Sequence, residues 1–329
     1  MSSPYFSSVL IFGATGEVGS AAALEAHARG ARVTIAMRDV AKPNERISSE
    51  QERAAGLQRI TADLTYPETV TRAVHQTGAQ AVFIYAVRSS DLMRGAITAL
   101  RDASIQHVVF LSTGQVKTAG ATKGDIRSIK SDHFIPWQHA QIEIGLEDIG
   151  LPHTALRAGF FASNPLRIYL DKSIEPKQVN LLAPDVLHDP IDPADIGRVA
   201  GAVLVNPRQY SNGYQATNES TPRKDVIYLN GPALLSQAEQ WDIINRELAA
   251  VGKSPIKVNH VTVEQYLKNM AALHVPDVVA KSLAKSMVET RALYAVEDFE
   301  KERGNVGLLT DQEATSFEDF VKREIPRYL

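Results

Sequence analysis

The chain of 329 residues contains no cysteine, which excludes disulfide staples, thiolate nucleophiles and cysteine-based zinc or iron–sulfur sites. It has no run of five or six like charges, and 35 basic against 38 acidic residues leave a net charge of −3. Nucleic acid and membrane surfaces are therefore not expected partners. No apolar stretch approaches the roughly 18 residues that cross a bilayer, and residues 1–8 lack the basic and apolar regions of a secretory signal. A cytoplasmic chain is expected. No His-x-x-x-His pair supports a metal site, no Gly-x-Ser-x-Gly elbow supports a hydrolase, and no tyrosine is followed four residues later by lysine.

What is present is ordinary globular material, 44% hydrophobic and 22% charged. At roughly 150 residues per domain the length suggests two domains, or one α/β domain with an appended lobe. Val9–Phe12 is wholly apolar and ends in glycine, the pattern of a strand buried on both faces. A helix over Val18–Arg29 closed by Gly30, a strand through Val33, Ile35 and Met37, and then Leu57–Ala62, a helix opened by Pro67, Ala81–Ala86, a helix near Leu92–Ala103, Val108–Leu111, a helix over Ile142–Ile149 and Thr154–Leu156 continue the alternation. That rhythm predicts βαβ units and an α/β fold with a doubly wound parallel sheet of Rossmann type. After about residue 160, Pro165, Pro176, Pro184, Pro190 and Pro193 break the texture. Later, Val226–Leu229 reads as a strand, and Ser236 with Glu239 as a capping box before a helix to about Ala250. The expected organisation is a dinucleotide domain over 1–155 and a smaller, mainly helical substrate lobe over 156–329, with segments near 190–205 and 225–230 returning to the first domain.

Gly13, Gly16 and Gly19 fall between the first strand and the first helix. Glycine there permits a tight turn and lets a diphosphate approach bare backbone at the positive end of the helix dipole. The segment Gly13, Ala14, Thr15, Gly16, Glu17, Val18 and Gly19 is the candidate cradle; the alternative is a glycine-rich turn without ligand. The second strand ends at Arg38, with Lys42 nearby, where enzymes that use NAD commonly place an acid. A guanidinium can chelate a 2′-phosphate, so NADP(H) is the expected cofactor, against the alternative of an exposed surface arginine. Asp63 and Leu64 follow the third strand, either beside the adenine or as a turn aspartate and its neighbour. Tyr85, Ala86 and Val87 end the fourth strand and Ser112 and Thr113 the fifth, at the strand ends where doubly wound sheets bind ligands.

The run Gly13–Gly19, the strand ending in Arg38, and Leu151–Phe161 with Asn164 resemble the NmrA-like family, an atypical branch of the short-chain dehydrogenases that includes isoflavone-reductase-like enzymes. Asp192–Gly197 and the strand at Tyr228 and Leu229 leading to Gly231 and Pro232 fit the same pattern. The resemblance covers nearly the whole chain. It implies an NADP-binding Rossmann domain with a substrate lobe over the nicotinamide, and two livelihoods: reduction of small molecules, or redox sensing through protein partners.

Reductases of this branch commonly use a lysine four residues before a helical glutamate. Counting back from Glu143 gives His139, so that lysine is replaced. The resemblance places His139 beside the cofactor, where an imidazole could donate a proton or hydrogen-bond the nicotinamide ribose. Trp137 and Gln138 shape the same pocket or pack at the helix start. Phe160 and Phe161 follow the sixth strand, Phe160 near the cofactor and Phe161 as an apolar wall for substrate, or both as core; Asn164 and Tyr169 are candidate polar contacts. The expected activity is NADPH-dependent reduction of a bulky carbonyl, imine or conjugated alkene. The alternatives are a non-enzymatic redox sensor and an NADP(H)-assisted cyclase.

Overall fold

The computed structural model describes residues 5–119, 125–171, 177–207, 224–289 and 296–328. The first half winds strand and helix in turn: β1 (Ser8–Phe12), α1 (Glu17–Ala28), β2 (Arg32–Met37), α2 (Ser49–Ala54), β3 (Gln58–Thr61), α3 (Pro67–Thr77), β4 (Ala81–Tyr85), α4 (Arg94–Asp102), β5 (His107–Thr113), α5 (Phe134–Asp148) and β6 (His153–Ala158). The second half has β7 (Leu170–Asp171), β8 (Gln178–Leu181), β9 (Leu187–His188), α6 (Pro193–Val205), β10 (Lys224–Leu229), β11 (Leu235–Ser236), α7 (Gln237–Ala250), β12 (Lys257–His260), α8 (Val263–Ala272), α9 (Asp277–Glu289), α10 (Val296–Glu302), α11 (Asn305–Thr310) and α12 (Phe317–Tyr328).

Every residue of β1 is buried, as a strand covered on both faces must be. It lies inside a parallel sheet of seven strands in the order β10-β6-β5-β4-β1-β2-β3, the doubly wound Rossmann arrangement. Side chains of α1, α6 and α11 form the core on one face, and those of α3, α4 and α5 the core on the other. The alanines of α1 and the glycines of α6 allow a close helix crossing: a Cβ on Gly197 would stand 2.4 Å from the Val18 carbonyl oxygen.

The late strand read at Val226–Leu229 starts two residues earlier and pairs with β6 at the sheet edge. The capping box of Ser236 and Glu239 is formed, and the helix it opens ends at Ala250. Helix α5 starts at Phe134, eight residues before the expected Ile142; Pro136 sits in its first turn, where the missing amide hydrogen costs nothing. The remaining chain is less purely helical than its sequence suggests. Three-stranded β7-β8-β12 and the pair β9-β11 join α7, α8, α9 and α12 around Trp241, Tyr266, Phe317 and Phe320. Among the described residues no helix is long and apolar enough to cross a membrane.

Candidate active site

Chain direction puts the C-terminal ends of β1, β2, β4, β5 and β6 along one edge of the sheet, and the site is assembled there. The turn after β1 is bare backbone by necessity. Gly13 adopts φ +76°, and a Cβ on Gly19 would lie 2.3 Å from the Gly13 carbonyl oxygen. Gly16 is the N-cap of α1, and no side chain caps that helix. Its first amides and the positive end of its dipole are the donor set that a diphosphate requires. Thr15 and Gly16 are exposed, whereas Ala14, Val18 and Gly19 are buried beneath them.

Neighbouring groups brace this turn. The Asn44 amide donates to the Ala14 carbonyl at 3.0 Å. Glu17 does not present a free carboxylate: it takes Arg46 at 2.9 Å and the Ser163 hydroxyl at 2.8 Å. Tyr85 lies over Gly13, where a Cβ would come within 2.7 Å of its ring. Burial raises the Tyr85 phenol pKa; the Arg38 charge opposes this and the Asp63 charge adds to it. Arg38 and Lys42 are exposed. The backbone between them is held from behind by Arg59, which donates to the carbonyls of Val40 at 2.6 Å and Lys42 at 3.0 Å. Asp63 Oδ1 accepts from the amide and hydroxyl of Thr65, a turn aspartate, and Leu64 is buried in the core.

Beyond the turn opens a cavity of about 460 Å³. Of the residues singled out from sequence, Tyr85, Ala86, Ser112, Thr113, Gln138, His139, Phe160, Phe161, Asn164 and Tyr169 line it. Two do not. Trp137 turns into a small cluster with Val116, Ile126 and Ile129, because its position on α5 faces those residues rather than the cavity. Val87 uses its carbonyl to accept from the Gln138 amide at 3.1 Å, which fixes Gln138 at the cavity edge.

Behind the wall runs a buried ionic row. Ser112, Arg157 and Tyr228 are register partners on β5, β6 and β10, so their side chains leave the sheet on one face. Glu143 of α5, fully buried, takes Arg157 through both carboxylate oxygens at 3.2 and 2.7 Å and Ser112 at 2.6 Å. Arg157 also donates to the Tyr228 hydroxyl at 2.7 Å. Burial works against the guanidinium charge, but Glu143 outweighs it and the Arg157 pKa is raised.

His139 lies one turn before Glu143 on α5. Its Nδ1 is 2.9 Å from the Ile135 carbonyl oxygen, which can only accept, so the hydrogen is on Nδ1 and Nε2 bears a lone pair. Burial lowers its pKa despite the raising effects of Ile135 and Glu143. Near neutral pH the ring is therefore an uncharged acceptor.

Sequence reasoning missed the far wall. Val279, Leu283 and Met287 of α9 supply apolar surface, and α9 is held to α5 by Ser282, which accepts from the Ile135 amide at 3.2 Å. His188, Tyr228, Lys117 and Glu302 line the cavity too. Lys117 pairs with Glu302 at 2.5 Å and Asp298 at 3.2 Å and sits over the Tyr228 ring at 4.7 Å. The register of the late strand with β6 was the one signal that could have pointed to Tyr228.

A family model described as NAD(P)H-binding matches residues 13–207, and a protein of Gibberella fujikuroi named nitrogen metabolite regulation-like protein bik4 is 75% identical over 328 residues, 100% of this chain and 99% of that protein. The chain belongs to the NmrA-like, NAD(P)H-binding family. The fold is shared with reductases of low identity. The triphenylmethane reductase of Citrobacter sp., solved with NADP(H), is 14% identical with a TM-score of 0.63 over 96% of this chain and 99% of that one. The leucoanthocyanidin reductase of Vitis vinifera, solved with NADPH, gives 12% and 0.67 over 97% and 99%, and an isoflavone reductase 18% and 0.61 over 96% and 99%. The glycine turn at 13–19, with no side chain capping α1, fits the diphosphate of the NAD(P)H that this NmrA-like family binds.

Proposed function

We propose that the chain is an NADPH-dependent reductase of a bulky, partly aromatic small molecule whose reducible group is a carbonyl, imine or conjugated alkene. The observation that carries this is the cavity. Its volume falls within the roughly 300–1,000 Å³ of small-molecule sites, and it extends from the strand ends to Val279, Leu283 and Met287 of the lobe. The strand ends at Tyr85, Ala86, Ser112 and Thr113 are the nicotinamide's share of that space; a protein that only senses a dinucleotide needs none of the apolar part toward Val279, Leu283 and Met287.

The residues divide the work. Amides of the 13–19 turn hold the diphosphate, and Arg38 with Lys42 supplies positive charge for a 2′-phosphate on backbone pinned by Arg59. NADPH held there would supply the hydride. Phe160, Phe161 and the α9 side chains hold a flat apolar substrate and exclude water. His139 orients rather than protonates, since its ring is neutral and presents a lone pair at Nε2. It accepts from a hydroxyl, and water delivers the proton that completes the product.

The test is NADPH oxidation by the purified chain against a panel of bulky aromatic ketones, imines and enones. Turnover with at least one class is expected. No turnover with any, together with binding that discriminates strongly between NADP+ and NADPH, would replace this reading by a redox sensor. That second reading draws on two observations: the exchange of the family lysine for a neutral His139, and the regulatory name of the 75% identical relative.

A further inference from the structure

Two imidazoles face the cavity from different elements, His139 on α5 and His188 at the end of β9. Their hydrogen bonds set them in opposite tautomers. His139 carries its hydrogen on Nδ1, as the Ile135 carbonyl demands. His188 Nδ1 lies 3.5 Å from the Gln240 amide nitrogen, and that same nitrogen lies 3.1 Å from the Leu235 carbonyl oxygen. A carbonyl only accepts, so the Gln240 NH₂ is the group that faces both. A donor facing Nδ1, even at this long 3.5 Å, favours the tautomer whose hydrogen sits on His188 Nε2.

The Nε2 atom of His188 has no partner among the described residues, yet it is not one of the buried polar atoms sealed off without a partner. It opens into the cavity. The ring plane is fixed by stacking on Phe160, with centroids 4.1 Å apart and planes within 12°. Burial pushes its pKa down to about 4, so the ring stays neutral as a donor. A fixed N–H in apolar surroundings is the kind of dipole that stabilises charge developing on an oxygen, because no solvent must reorganise to meet it.

We propose that His188 donates Nε2–H to an acceptor oxygen of the substrate while His139 accepts from a substrate hydroxyl, so that the cavity selects a conjugated molecule bearing a carbonyl oxygen and a hydroxyl. This rests on the reductase reading and assigns its recognition chemistry. His188 is then a catalytic residue, and Gln240 a positioning residue that fixes its tautomer.

Two measurements test it on the whole chain with NADP+ bound. Histidine side-chain nitrogen–proton correlation NMR should show His188 protonated at Nε2 and His139 at Nδ1; the opposite tautomer at His188, or a charged ring near neutral pH, overturns the proposal. The second uses phenanthrenequinone and its oxygen-free parent, phenanthrene, as probes. The wild-type chain should bind the quinone about tenfold more tightly than the hydrocarbon, relative to their partition from water. His188→Phe keeps the aromatic stack and should abolish that preference while leaving phenanthrene and NADP+ affinity unchanged. His188→Gln, which retains a side-chain N–H, should restore part of it. If His188→Phe keeps the preference while NADPH still reduces the quinone, the His188 assignment falls and the reductase reading stands. If the wild-type chain neither binds the quinone nor oxidises NADPH with it or with the wider panel, the reductase reading fails and takes this assignment with it.

Discussion

The glycine turn and the cavity that opens beyond it are built by different means. The turn is local backbone: seven consecutive residues, 13–19, shaped by a positive φ at Gly13 and by the absence of a Cβ at Gly19. The cavity wall is side chains gathered across the chain, with His139 from α5, Phe160 from the segment after β6, His188 from β9 and Met287 from α9. Backbone geometry tolerates almost no substitution, because what must move is main chain. A wall of side chains can be rebuilt residue by residue without disturbing the strands beneath. A single NAD(P)H-binding frame can thereby serve substrates as different as a family needs.

The row of Ser112, Glu143, Arg157 and Tyr228 backs the cavity wall, and the largest effect is expected there. Glu143→Ala would leave Arg157 charged and unpaired at 6% side-chain exposure. Removing one partner of a buried pair costs about 3–5 kcal/mol. Urea denaturation should show that loss, with dinucleotide and substrate binding both impaired. A loss below about 1 kcal/mol would mean that the cavity wall does not depend on this row for support.

Acid acts through two buried imidazoles, one lining the cavity and one at the far end of the sheet. Burial, reinforced by His153, pushes His107 at the start of β5 down to about 3, and burial pushes His188 down to about 4. Both folded values lie below the ordinary 6.5, so the unfolded chain takes up protons first. The stabilisation is complete above pH 6.5 and is lost as pH falls toward 4 and then 3. At 1.36 kcal/mol per unit, His188 accounts for about 3 kcal/mol of it. Denaturation near pH 7 and pH 4 should show a smaller drop in His188→Phe than in wild type, and a smaller one still in His107→Phe. Equal curves for all three would remove these rings as the cause of acid sensitivity.

The same division explains what could be read without coordinates. The parallel winding, the glycine turn, the box of Ser236 and Glu239 and most strand limits are written in short windows, where period and turn chemistry act directly. Helix α5 was read eight residues short, since Pro136 argues for a break unless the first turn is known to contain it. Trp137 and His139 stand two residues apart on α5 and so point about 160° apart, Trp137 toward Val116, Ile126 and Ile129 and His139 toward the cavity. His188, Lys117 and Glu302 carry no local signature; only packing of the lobe on the sheet edge brings them to one space.

Arg38 offers the mildest and most selective cut. It is exposed and its charge acts on Tyr85, and the backbone from Arg38 to Lys42 is held independently by Arg59 and by Asp39, whose carboxylate accepts from the Ala41 amide at 2.9 Å. Arg38→Gln therefore removes charge without loosening the turn. Hydrogen bonds to a charged partner are worth about 1.5–3 kcal/mol, so calorimetry should record NADP+ affinity falling roughly 10- to 100-fold. NAD+ affinity and the melting temperature should stay as they are, because NAD+ has no 2′-phosphate for the guanidinium to meet. Parallel losses for both nucleotides would show instead that Arg38 shapes the 13–19 turn itself, and the boundary between a backbone-built cradle and its charged rim would have to be redrawn.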